Sequence, residues 1–165
     1  MKTFLLLLLA LPFAGCASIT TGKSAATGDT TVTMGNTTVD LGTLAAKVAS
    51  ASQLAVQNAV PVALAKNPSL RPDLVAAGQA LTVALGNGTT DISTLESLVN
   101  SRVSAGNRAA VDEGMAGVIA IYEAFAIAYG SSVPGQEWLK YATEILTAIN
   151  NGLTAGLAAS PAPAT

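Results

Sequence analysis

From Asp40 onward, apolar residues recur at steps of three and four, the spacing that gathers them on one face of an α-helix. Leu41, Leu44, Val48, Leu54 and Val60 form the first such stripe, and Asp40 is placed to cap it. Pro61 falls inside this stretch and predicts a kink or a split. The run Asn67-Pro68-Ser69-Leu70-Arg71-Pro72 predicts a break after Lys66. A second helix is expected from Asp73, with Leu74, Ala77, Leu81 and Leu85 in line and Gly86-Asn87-Gly88 closing it. Thr90 or Asp91 caps a third, carrying Ile92, Leu95, Val99 and Val103 inward. After Asn107 comes the longest seam: Val111, Met115, Val118, Tyr122, Phe125 and Tyr129, stopped by Gly130. Pro134 suits the first turn of a fifth helix whose face is Trp138, Tyr141, Ile145, Ile149 and Leu153. The predicted fold class is therefore all-α, a small Ala-rich bundle of about five helices over residues 40–158, with a disordered tail at 159–165.

Upstream of Asp40 the pattern changes. Residues 17–30 are rich in Ser, Thr, Gly and Ala without apolar periodicity and read as a flexible tether. Residues 31–39 alternate apolar and polar positions around Gly35-Asn36, a hairpin signal. Two strands this short, with no third in sight, are marginal in water, so the expectation is that 16–39 is extended tether throughout.

The first residues read as an export leader. Met1 and Lys2 precede the run Phe4-Leu5-Leu6-Leu7-Leu8-Leu9-Ala10-Leu11, which is too short to span a bilayer and suits a secretory signal peptide of residues 1–15. The segment Phe13-Ala14-Gly15-Cys16 that follows resembles the lipobox of bacterial lipoproteins, although Phe13 stands where that pattern prefers Leu. The resemblance covers the first sixteen residues. It implies cleavage before Cys16, lipidation of its thiol, palmitate or a similar chain on the new amino terminus, and the membrane as a partner. Ala17 in the next position implies the outer membrane, facing the periplasm, if the envelope is Gram-negative. An ordinary signal peptide cut after Ala17 is the competing reading.

Composition narrows the chemistry. Without residues 1–15 the chain carries seven basic and ten acidic residues, a net charge of -3, so no basic surface exists to neutralise phosphates and nucleic-acid binding is not expected. There is no histidine, and Cys16 is the only cysteine. The commonest general base, thiolate metal clusters and an internal disulfide are thereby removed. No cofactor, metal site or catalytic residue is expected. The mean hydropathy of +0.50 raises the question of a buried span. Met115 to Tyr129 is the best candidate, but it is only fifteen residues long and holds Glu123, which favours a helix inside a soluble bundle.

Four features remain as candidate sites. Ala17-Ser18-Ile19-Thr20-Thr21-Gly22-Lys23-Ser24 fits a relaxed phosphate-loop pattern, but it lacks the preceding buried strand and following helix that such a loop needs. Asp112 and Glu123 share a helix face ~16 Å apart along the axis, too far for a paired-carboxylate mechanism. Asp112 is expected to pair with Arg108, and Glu123 to be solvated. Ala148, Gly152 and Gly156 form a small-residue stripe suited to helix–helix association, unless Asn150-Asn151-Gly152 simply ends the helix. Tyr122, Tyr129, Trp138 and Tyr141 could line an aromatic groove, or serve as core. The function these readings suggest is a membrane-anchored envelope lipoprotein that binds or scaffolds, with an unidentified protein as a candidate partner and no more specific function indicated. The alternative is a membrane-active or lysis-related lipoprotein of phage or mobile-element type that self-associates through the 148–156 stripe.

Overall fold

The computed structural model describes residues 19–34, 36–129 and 135–160. It is a helical domain with five α-helices: α1 (Leu41–Lys66), α2 (Arg71–Gly86), α3 (Ile92–Asn100), α4 (Arg108–Tyr129) and α5 (Gly135–Ala159). A small antiparallel sheet precedes them: β1 (Ile19–Lys23), β2 (Thr30–Met34) and β3 (Thr37–Asp40), in the order β1-β2-β3. No helix among the described residues is long and apolar enough to cross a membrane.

The sheet corrects the expectation of a tether. β1 supplies the third strand that the hairpin lacked, pairing Ile19 with Met34 and Lys23 with Thr30, while β3 pairs Thr31 with Asp40. Threonine takes part in most of the cross-strand pairs, and in β1 it leaves no period-2 signal, because Thr20, Thr21, Gly22 and Lys23 follow one another without an apolar residue between them. Val32 is 2% exposed and packed into the helical core.

Asp40 caps α1 as expected, its carboxylate accepting from the Thr43 amide at 2.9 Å. The helix then runs unbroken to Lys66 with Pro61 inside it, so the proline does not split it, and it ends where Asn67 caps a single 3-10 turn at Pro68–Leu70. That turn feeds directly into α2, which begins at Arg71, two residues before the expected start. Pro72 is accommodated in its first turn, where no intrahelical donor is required. Asp73 is therefore inside the first turn instead of starting the helix. It is buried, and its carboxylate accepts from Ser104 N, Ser104 Oγ and Asn107 Nδ2 at 2.9, 2.8 and 2.6 Å, fastening the α3–α4 loop to α2. Asp91 caps α3 through the Thr94 amide, and Leu95, Val99 and Val103 are buried as predicted.

The most extensive helix pairing is α1 with α5, and α5 also packs on α2. Gly152 faces Gln53 and Gly156 faces Gln57 and Val60, so residue numbers rise together and the two helices run parallel. A β-carbon at Gly152 would overlap the Gln53 carbonyl oxygen and lie 3.1 Å from its Cα. One at Gly156 would lie 2.7 Å from Val60 Cβ and 3.0 Å from the Gln57 carbonyl oxygen. The Gln57 carbonyl is also the one that Pro61, four residues on, cannot hydrogen-bond. The proline and the glycine thus meet at one crossing, where the freed carbonyl sits against a backbone with no side chain. Small residues line the rest of the contact: Ala45, Ala49 and Ser52 on α1, Ala148 on α5, all buried. α2 runs antiparallel to this pair. Asn150 Nδ2 donates to Thr82 Oγ1 at 2.9 Å, and at the other end the Arg71 guanidinium donates to the Leu157 and Ser160 carbonyls. A cation on the last carbonyls of α5 satisfies groups that the helix end leaves open. Residues 159 and 160, expected in the disordered tail, are held in this way, with Ala159 in the helix and Ser160 buried.

Two substitutions test the close crossing by urea denaturation of the full chain. Gly152→Ala should lower stability by about 3 kcal/mol despite the better helix propensity of alanine, because the backbone opposite cannot yield as a side chain would. Ser52→Ala should raise it by about 1 kcal/mol, since the fully buried Ser52 Oγ has no hydrogen-bond partner among the described residues.

Candidate functional site

The five helices do not fill the space between them. A cavity of about 150 Å³ lies among all five, walled by Val56 and Val60 of α1, Leu74 and Leu81 of α2, Leu95 of α3, Ile119 of α4, and Leu146, Ile149 and Leu153 of α5. Its origin is local. Ala63, Ala77 and Ala110 also line it, and an alanine at a position where helices diverge removes the atoms that would otherwise fill the gap. The 3-10 turn contributes Leu70 to the wall. Ala59, Glu96 and Ala110 are the exposed members of the lining and mark its rim. Tyr122 also lines it, but its hydroxyl donates to the Thr90 carbonyl at 2.7 Å, so the aromatic ring rather than the phenol group meets the cavity.

The aromatic residues form one cluster beside this cavity. Trp138 stacks on Phe125 with ring centroids 5.6 Å apart and meets Tyr122 edge-on at 5.9 Å, and Phe125 meets Tyr141 edge-on at 6.5 Å. Tyr122 and Tyr141 are 4% and 0% exposed, so these rings are core and do not line an open groove. The side chain of Tyr129 lies outside the described residues, as do Cys16 and Gly130. The Ala148-Gly152-Gly156 stripe is buried as well. It neither ends the helix, which continues to Ala159, nor faces outward, because α1 occupies it. The physical reason is the same in both cases: the sequence marks a face as suited to close contact without saying which helix covers it.

The remaining sequence candidates lie apart. Asp112 and Glu123 are both exposed and neither lines the cavity. The Arg108 guanidinium donates to the Asn100 carbonyl at 3.2 Å, fixing the start of α4 to the end of α3 instead of pairing with Asp112. Ile19 to Lys23 of the phosphate-loop-like segment are a β-strand, and Lys23 is ion-paired with Glu137. Among the described residues no three His, Cys, Asp or Glu side chains come together as a metal site would require.

A polar cluster that sequence reasoning missed docks the sheet onto the start of α5. Glu137 accepts from Lys23 and from Thr30 Oγ1, while Asp29 accepts from Lys140 Nζ at 2.8 Å and from the Tyr141 hydroxyl at 3.3 Å. Asp29 also sits over Gly42 in the first turn of α1, where a β-carbon would collide with its carboxylate. Partners more than 100 residues apart leave no local trace in the sequence. The only available hint was a short Ser/Thr/Gly segment holding both Lys23 and Asp29. The hydrogen bond from Lys140 holds the Asp29 carboxyl below its ordinary 3.8, and that from Lys23, followed by that from Thr30, holds Glu137 below its ordinary 4.5. Asp29 in turn holds Lys140 above its ordinary 10.5, and burial pushes the Tyr141 phenol up to about 12.

No family model, no curated protein and no solved structure matches the chain.

The dock makes stability depend on pH with a definite sign. Carboxylates with lowered values contribute fully above their ordinary 3.8 and 4.5, and lose that contribution as the pH falls through the lowered value. Lys140 and Tyr141 contribute fully below their ordinary 10.5 and 10.0 and lose it as the pH rises further. Unfolding midpoints in urea should therefore be level between about pH 5 and 9 and fall on both sides. Asp29→Asn combined with Glu137→Gln should make the acid limb shallower. An acid limb unchanged in that double variant would show that the dock contributes nothing.

Proposed function

We infer that this chain is an exported envelope lipoprotein, anchored through lipid on Cys16, whose helical domain works by binding and not by catalysis. The observation that carries the binding role is the cavity: an apolar space walled by aliphatic side chains from all five helices. Concave apolar sites between helices of a bundle are a common form of binding site. The anchoring half of the reading rests on the resemblance of Phe13-Ala14-Gly15-Cys16 to a lipobox.

The fold adds a geometric consequence. β1 starts at Ile19, three residues beyond Cys16, and three extended residues reach at most about 10 Å. A lipid on Cys16 would then hold the folded domain close to the bilayer surface instead of on a long leash. Ile19 lies at the sheet end where β1 meets Met34, opposite the end that continues through Asp40 into α1. The cavity residues Val56 to Ala63 lie about 20–30 Å along α1 from its first turn. Anchor and cavity are thus well separated, and the site stands away from the attachment point. The self-associating alternative loses support, because Gly152 and Gly156 are engaged inside the chain.

Growth of cells expressing the protein with an alkyne-bearing palmitate analogue checks the anchor. The chain should take up the label and fractionate with membranes, and Cys16→Ser should lose both properties. Unlabelled protein with a mature amino terminus downstream of Cys16 would replace the lipoprotein reading with plain secretion.

A further inference from the structure

The cavity has features that specify what it can hold. Its volume is about 150 Å³, the size of aliphatic cavity that remains dry and accepts benzene or xenon. Its walls present methyl and methylene groups from all five helices. The one phenol among them, that of Tyr122, has its hydrogen committed to the Thr90 carbonyl. Among the described residues the only carboxylate in the lining is Glu96, and it stands exposed at the rim. A charged or hydrogen-bonding ligand would leave its polar groups unpaired inside, at a cost that no contact here offsets. A carboxylate or phosphate held at the rim would also face the negative charge of Glu96.

We propose that this cavity is a binding site for an uncharged hydrocarbon group of about six carbons, either a small ring or the terminal segment of an aliphatic chain whose neutral or cationic remainder emerges beside Glu96. The inference deepens the binding role argued above and rests on it, but it does not depend on lipidation of Cys16. Binding of this kind draws on area removed from water and on dispersion contacts with walls that are already formed, so little reorganisation is needed. The chain has a built-in reporter. Trp138 is its single tryptophan, and its ring lies 5.9 Å from that of Tyr122 in the cavity wall.

The test uses the full chain carrying Cys16→Ser, so that no detergent competes for the site. Three probes are titrated: benzene, a decyl chain with a neutral sugar headgroup, and the same chain with bromine on its terminal carbon. Benzene should raise the melting temperature by about 4 °C at saturation. The brominated chain should quench Trp138 fluorescence at concentrations below its micelle point, which the unbrominated chain should not do. A response to benzene alone assigns the site to small free hydrocarbons, and a response to both assigns it to chain termini as well. Ala77→Leu, which fills the space, should keep or raise the melting temperature of the unliganded protein and weaken each response at least tenfold. Ala63→Leu, on a different helix, should do the same and guards against a folding defect in the first variant. No shift with benzene and no quenching, or responses that survive both fillings, overturn the proposal. Palmitate labelling of the unsubstituted chain reads the anchor separately, so an unresponsive cavity in a labelled protein defeats this inference alone.

Discussion

The parallel contact of α1 and α5 governs the rest of the molecule. Two helix backbones approach so closely at Gly152 and Gly156 that the Gln53 and Gln57 carbonyls occupy the space where side chains would otherwise stand. Such contact exchanges side-chain volume for backbone proximity, and it requires small residues along both faces. Ala45, Ala49 and Ser52 meet that requirement on α1, and Ala148 meets it on α5. The chain is poor in aromatic residues and rich in alanine, a composition that gives each residue little area to bury. Close approach compensates by multiplying dispersion contacts over the length of two helices of 26 and 25 residues.

Parallel neighbours impose a topology. A direct loop joins antiparallel helices, so the chain must cross back before α5 can lie along α1 in the same sense. α2 makes that return packed against α5, and α3, which packs on α2, and α4 complete the circuit. Four aromatic side chains, Trp138, Phe125, Tyr122 and Tyr141, contact one another in one cluster. Further along, where α1, α2, α4 and α5 all contribute to one wall, alanines at 63, 77 and 110 cannot bridge the space between diverging helices. The cavity is the direct result of tight packing on one side of α5 and small side chains on the other.

The sheet and the helices are joined by charge instead of by hydrocarbon. Apart from Val32 and Val39, the strands offer the core little, and the union relies on Asp29 and Glu137 meeting Lys140, Lys23, Thr30 and Tyr141. Partly exposed pairs of this kind contribute modestly one at a time, but here four hydrogen bonds join the sheet segment to the first turns of α5 while Asp29 also covers Gly42 of α1. The arrangement orders a segment that sits immediately after the proposed lipid attachment point. A domain fixed within a few residues of its anchor has a restricted orientation over the membrane, which a flexible leader would not impose.

Much of the helical plan was legible in the residues. Periodicity and caps located all five helices, Asp40 and Asp91 cap as their spacing implies, and the break after Lys66 falls where the two prolines place it. These are local properties, set by side chains within four positions of one another. The sheet was not legible, because the alternation at 31–39 marks only two short strands and the deciding third strand lay in a stretch that composition marks as loose. Nor was the role of the 148–156 stripe, since small residues declare that something comes close without naming it. The cavity was beyond reach for the same reason: it is the volume left between five helices, and no window of sequence contains it. What the chain alone determined is where helices begin, end and turn their apolar faces. Which faces meet, in which direction and with how much room between them was decided only by tertiary packing, because those outcomes depend on residues a hundred positions apart.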